Sequence, residues 1–282
     1  MTQTHAHAPA PKNSKAGRDL PAAIGVGVGL GALVLVGVMW FPPLFVVTCC
    51  LFAGLGVWEV CRALRLARIR VPQAPLFAAA VLMPPAAYAG GEQVLTFVLV
   101  ATAVAVVLVR AMDPEPGSFR AVLAAFFVLL WVPFFISFAL LLMHLPDGKE
   151  RLLVLLLLVV ANDTFGYIAG VRFGRHPMAP TVSPKKSWEG FAGSVVGACA
   201  VGVVSGLVLL NAPWWFGVVL GVAVVIAATS GDLAESMVKR ELGMKDMSNI
   251  LPGHGGVMDR LDSMVFGVVV VYAVSLFYLS AV

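Results

Sequence analysis

Charge is scarce in this chain of 282 residues: acids and bases make up 12% of it, against 60% hydrophobic residues. That shortage argues against an ordinary soluble domain, in which about a quarter of residues are charged. It also excludes nucleic acid as a partner, because no basic stripe with interleaved aromatics occurs. Cysteine is nearly missing. Cys49, Cys50, Cys61 and Cys199 match no zinc spacing, and three of them lie in or beside one apolar run, as inert thiols in helices do. No Walker A sequence occurs, so the chain is not a P-loop enzyme. Internal repeats are lacking too. Gly27-Val28-Gly29-Leu30-Gly31-Ala32 matches a loose dinucleotide fingerprint, but it lies in an apolar run with no strand before it. Close helix packing through Gly25 and Gly29 is the expectation there.

Apolar runs of about 20 residues are what the chain has in abundance, with a mean hydropathy of +0.95. They predict an all-α, polytopic integral membrane helix bundle. About nine spans can be marked, near 20–40, 43–61, 74–90, 93–112, 119–145, 151–171, 188–210, 213–233 and 261–282. The third contains Pro84 and Pro85 and is expected to be kinked or short. The fifth is long enough to tilt. Residues 1–19 are polar and read as a disordered cytoplasmic tail. The first apolar run is too long for a signal-peptide core and is expected to be retained. With the N-terminus inside, all but Lys149 and Arg151 of the 19 basic residues fall on the cytoplasmic side. Residues 20–145 then form an N-terminal set of helices. Residues 146–282 form a C-terminal catalytic region with a signature loop at 232–262.

That loop concentrates the scarce charge. Asp232, Glu235, Ser236 and Lys239 follow at i, i+3, i+4 and i+7, which puts them on one helical face. Asp259, Asp262 and Ser263 repeat the pattern at the start of the last span. Two carboxylates on one turn repel unless a helix dipole or a hard cation such as Mg²⁺ compensates them. Between them, Gly253-His254-Gly255-Gly256 can expose backbone N–H groups to an anion. Lys239, Arg240, Lys245 and Arg260 flank it and suggest a phosphate cradle. A solvated helix end, simple aspartate capping and an ordinary loop are the plainer alternatives. Asp163, between Asn162 and Thr164, lies roughly 16 Å into the sixth span at about 1.5 Å per residue. An acid at that depth faces a polar cavity, or serves packing. In the block Ser183-Pro184-Lys185-Lys186-Ser187-Trp188-Glu189-Gly190, Ser187 is a candidate helix N-cap. Lys185 and Lys186 are either membrane anchors or ligands of a lipid phosphate or a triphosphate.

Ser236-x-x-Lys239-Arg240-x-x-x-x-Lys245-Asp246, followed by Pro252-Gly253-His254-Gly255-Gly256-x-x-Asp259-Arg260-x-Asp262, resembles the signature of the phosphatidate cytidylyltransferase (CDP-diacylglycerol synthase) family. The likeness covers about residues 150–282. It implies transfer of CMP from CTP to phosphatidate, giving CDP-diacylglycerol and pyrophosphate, in the inner membrane with the site facing the cytoplasm. It further implies Mg²⁺, with room for a second cation, on Asp232, Asp259 and Asp262. Lys239, Arg240, Lys245 and Arg260 would meet the phosphates of CTP, with Asp246 beside them. Ser183, Lys185 and Lys186 would meet the phosphatidate headgroup. Asn162, Asp163, Ser236, His254, Gly255 and Gly256 would complete the substrate contacts. A homodimer is also suggested. A CTP-dependent polyprenol or phytol kinase is the related alternative, and an ion or metabolite transporter the alternative from another class.

Overall fold

A computed structural model describes residues 20–113, 117–248, 250 and 255–281. The tail at 1–19 and His254 lie outside the described residues. The chain is helical almost throughout: α1 Leu20–Met39, α2 Pro42–Leu66, α3 Gln73–Ala111, α4 Ser118–Leu129, α5 Phe135–Leu142, α6 Gly148–Phe173, α7 Trp188–Leu209, α8 Trp214–Glu241 and α9 Met258–Ala281. A π-turn at Leu130–Phe134 joins α4 to α5. Two short strands, β1 Pro177–Ala179 and β2 Ser183–Ser187, pair antiparallel between α6 and α7. Among the described residues, seven helices are long and apolar enough to cross a membrane, and Gly25–Met39 is a shorter apolar helix.

Two differences separate the nine expected spans from these seven: the first falls on the shorter apolar helix, and the third and fourth share one element. The third and fourth fall inside the single element α3, broken at Gly91 with φ 61° and ψ −153°. Only glycine adopts that conformation at little cost. A straight helix of that length would reach about 58 Å. Instead Gln73 and Arg110, near its two ends, line cavities that share Arg70. The chain therefore reverses at Gly91, and the kink expected at Pro84 and Pro85 does not break the helix. Pro85 cannot donate to the carbonyl of Val81, but the Cys50 thiol does, at 3.6 Å. At the end where α3 reverses, the Tyr88 carbonyl pairs with His144 Nε2 at 2.6 Å, and Lys149 Nζ donates to the Met39 carbonyl at 2.9 Å.

The fifth expected span is interrupted by the π-turn, which contains Pro133. Pro133 lacks an N–H, and one wide turn absorbs that loss. Small residues bring the C-terminal helices together. On α7 and α8, a Cβ added at Gly202 or Gly217 would strike the other's carbonyl. Nothing lies within 4 Å of a Cβ added at Gly25 or Gly29, so the close packing expected through them is not made. Phe216 is fully buried, with the Tyr278 ring 4.2 Å away and the Arg151 guanidinium 5.9 Å from its centroid. The signature segment is only partly a loop: α8 continues to Glu241 and α9 starts at Met258.

Candidate active site

The extra turns of α8 carry the predicted polar face beyond the apolar sequence. Asp232 receives Lys186 Nζ at 2.5 Å and the Ser236 hydroxyl at 3.3 Å. Two turns on, Lys239 Nζ lies between two carboxylates, Glu235 at 3.0 Å and Asp259 at 2.9 Å. Glu235 is fully buried and its Oε1 has no hydrogen-bond partner. Gly231 sets the approach of α8 to α9. A Cβ there would run into the Asp262 carbonyl and come within 2.8 Å of the Phe266 ring. The missing side chain lets Asp262 enter the fields of Asp232 and Glu235.

Lys186 reaches α8 because the β-hairpin folds back under it. The hairpin is fastened at its base. Ser187 caps α7 as predicted, accepting from the Gly190 N–H at 3.1 Å. Glu189 accepts from the N–H groups of Arg175 at 3.1 Å and His176 at 3.2 Å, and its other oxygen pairs with His176 Nδ1 at 2.6 Å. Arg240 extends to the carbonyl of Val182, at 3.4 Å, in the hairpin turn.

A cavity of about 570 Å³ opens between α6, the hairpin, α7 and α8. Asn162, Asp163, Lys185, Lys186, Ser194 and Asp232 supply its polar wall, and Tyr167, Val171 and Phe191 are among its apolar side chains. The Asn162 amide donates to Asp163 at 2.9 Å, and Ser194 donates to the Asn162 carbonyl at 2.7 Å. Asp163 also lies in the fields of Asp232, Lys186 and Arg260. Three elements, α6, β2 and α8, thus bring charges of both signs to one concavity, where low-dielectric walls strengthen each of them.

The structure joins Asn162, Asp163, Lys186, Asp232, Ser236, Lys239, Asp259, Arg260 and Asp262 into one charged region, with Lys185 on the cavity wall. It does not draw in every predicted residue. Ser183 starts β2 and is not among the cavity-lining residues. Lys245 and Asp246 are exposed on the loop after α8. Gly255 takes φ 86°, which suits the expected tight turn. The Gly256 N–H, however, donates to Asp259 at 2.8 Å rather than standing open to an anion. Met247 N–H also donates to Asp259, at 3.1 Å. Asp259 is therefore bound by Lys239 and two backbone groups, while Asp232 sits with Lys186. Among the described residues, no three His, Cys, Asp or Glu side chains group as a metal site.

A model of the cytidylyltransferase family matches residues 21–278, nearly the whole chain. The chain belongs to the cytidylyltransferase family. Over 152 residues it is 47% identical to a phosphatidate cytidylyltransferase of Mycobacterium bovis, covering 54% of this chain and 50% of that protein. Over 162 residues it is 46% identical to the phosphatidate cytidylyltransferase of Mycobacterium leprae, covering 57% of this chain and 52% of that one. A phosphatidate cytidylyltransferase of Haemophilus influenzae is 43% identical over 122 residues, 42% of each chain. The chain spans about half the length of these relatives.

This cytidylyltransferase-family chain has one site residue that the sequence reasoning passed over. Glu59 on α2 is fully buried. It accepts from the Ser248 hydroxyl at 2.5 Å and from the N–H groups of Val257 and Met258 at 2.8 Å each. An N-terminal helix thereby supplies the carboxylate that caps α9, one residue before Asp259. The signal was present: Glu59 is a lone acid near the end of an apolar run, and such acids are seldom idle.

Proposed function

We propose that the chain transfers CMP from CTP to phosphatidate, giving CDP-diacylglycerol and pyrophosphate. The observation that carries this reading is the cavity where Asp163, Lys186 and Asp232 meet from α6, β2 and α8. A phosphate oxygen of the lipid attacks the α-phosphorus of CTP. The bond from that phosphorus to the bridging oxygen breaks, and pyrophosphate leaves with the electron pair. The nucleophile is already an anion, so no strong general base is required. Positioning and charge neutralisation carry the rate. Lys186 and Lys239 suit that work, because each is already held in place by carboxylates. In this reading Lys185 and Lys186 meet the lipid headgroup, and Lys239 and Arg260 meet the phosphates of CTP.

Mg²⁺ fits the donor set. Asp232 and Asp262 come from facing helices, and Mg²⁺ commonly takes one or two carboxylates, with substrate phosphates and water completing its octahedron. The buried Glu235 carboxyl, in the field of Asp262, adds to the negative charge that such an ion would offset. Bound there, the ion would neutralise charge on the phosphates. Asp259 then serves Lys239 and the loop rather than the metal. The clustering of basic residues on one side supports a cytoplasmic site in the inner membrane.

The test uses purified protein, phosphatidate vesicles and CTP labelled at the α-phosphate. Label should enter lipid in step with pyrophosphate release. CDP as the nucleotide product, with no label in lipid, would mean phosphoryl transfer and sink the proposal.

A further inference from the structure

A second charged concavity lies away from the site just described, on the N-terminal half. The sequence from Arg62 to Arg120 holds six arginines and no lysine, against Glu92, Asp113 and Glu115. Glu92 lies beside the reversal at Gly91 and bonds with Tyr272, far from these arginines. The fold gathers the basic residues. The connection from α2 to α3 and the start of α4 close over the end of α3. A cavity of about 240 Å³ there is lined by Arg68, Arg70, Arg110 and Arg120, with Ile69, Gly117 and Ala121. Beside it, a cavity of about 480 Å³ is lined by Arg65 and Arg70 together with Cys61 and Gln73.

Arginines at span ends often do no more than fix topology, projecting outward into water. Arg110 departs from that pattern. It is buried in the cavity wall, held by Asp113, while Arg65, Arg68, Arg70 and Arg120 remain exposed around it. Guanidinium groups converging on a concavity match phosphate geometry better than isolated surface cations do. A basic pocket between helix ends at a membrane surface is a suitable receptor for an anionic headgroup.

We infer that the arginine-lined cavity between the α2–α3 connection and the start of α4 binds a phosphate group, carried by a membrane lipid or by free phosphate. The site is separate from the cavity of α6 to α8 and does not depend on the function proposed above. Each basic residue near a membrane surface is worth roughly a 5-fold change in anionic-lipid binding.

The experiment is native mass spectrometry of the full chain released from phosphatidylcholine nanodiscs containing a minor share of phosphatidylglycerol. A Lys186→Gln background weakens lipid binding at the catalytic cavity. Retained phosphatidylglycerol should fall about 25-fold in an Arg70→Gln, Arg120→Gln double variant, and Arg→Lys at both positions should restore much of it. In a parallel arm, inorganic phosphate is tested by calorimetry against the same proteins in phosphatidylcholine alone. Variant-sensitive lipid retention without phosphate binding assigns the site to a headgroup, and the reverse assigns it to free phosphate. Equal lipid retention and equal phosphate binding in the parent and the double variant overturn the inference. Because Arg70 and Arg120 are exposed, both variants should fold, and an unchanged melting midpoint verifies it.

Discussion

Replacing Glu59 by Gln tests whether the N-terminal helices hold the site in shape. Ser248 and Val257 share Oε1 of Glu59, and the Met258 N–H uses Oε2. Glutamine keeps one acceptor oxygen for the first two. Its NH₂ then faces the Met258 N–H, donor against donor, in a site closed to water. A buried donor left without an acceptor costs about 1–3 kcal/mol. If that cost appears as displacement of α9 and Asp259 in the transition state, kcat falls roughly 5- to 150-fold. Binding of CTP should change less, because Glu59 is not among the residues that line the cavity of α6 to α8. Glu59→Ala orphans all three donors, at least about 3 kcal/mol, and is expected to lower the yield of folded protein. The Gln variant is therefore the informative one. Steady-state kinetics on detergent-purified protein, with the melting midpoint measured alongside, would settle the matter. A Glu59→Gln chain with the parent's kcat would refute the reasoning.

Other consequences follow from single contacts. Gly231→Ala should push α8 from α9, costing about 1–3 kcal/mol; a parental melting midpoint and parental activity would show that the approach is not tight. Ser187→Ala removes the cap of α7, about 1 kcal/mol, and should raise KM for phosphatidate by loosening Lys186. Ser187→Asp should restore it, and kinetics on the pair decide the point. Lys186→Met leaves Asp232 without its cation and should lower kcat by about 10²–10³-fold, which the labelled-CTP assay reads directly. Chelation should abolish turnover and Mg²⁺ should restore it; turnover persisting in excess chelator would remove the metal from the proposal.

Much of the architecture was legible because a bilayer restricts the chain to helices. Apolar runs marked the spans, and Ser187 marked the start of α7. Errors arose where local rules competed. Pro84 and Pro85 looked like the break in the third span, but Cys50 supplies a donor for the carbonyl that Pro85 leaves free. The chain turns at Gly91, whose positive φ no hydropathy window registers. The signature segment read as a loop because its charges end the apolar run. Yet the polar face at i, i+3, i+4 and i+7 is itself helical, and α8 continues through it.

Residue type and spacing by themselves determined that this is a membrane helix bundle with acids, lysines and glycines concentrated near its C-terminal spans. They also determined which carboxylates share a helical face, since that depends only on the 3.6-residue period. Partnership was decided by the tertiary structure. Asp259 belongs to Lys239 and the loop N–H groups, Asp232 to Lys186 from a hairpin far away in sequence, and α9 is capped by Glu59 across 198 positions. The physical reason is that a buried charge is stable only with a partner, and helix packing, not spacing along the chain, selects which partner comes within about 3 Å.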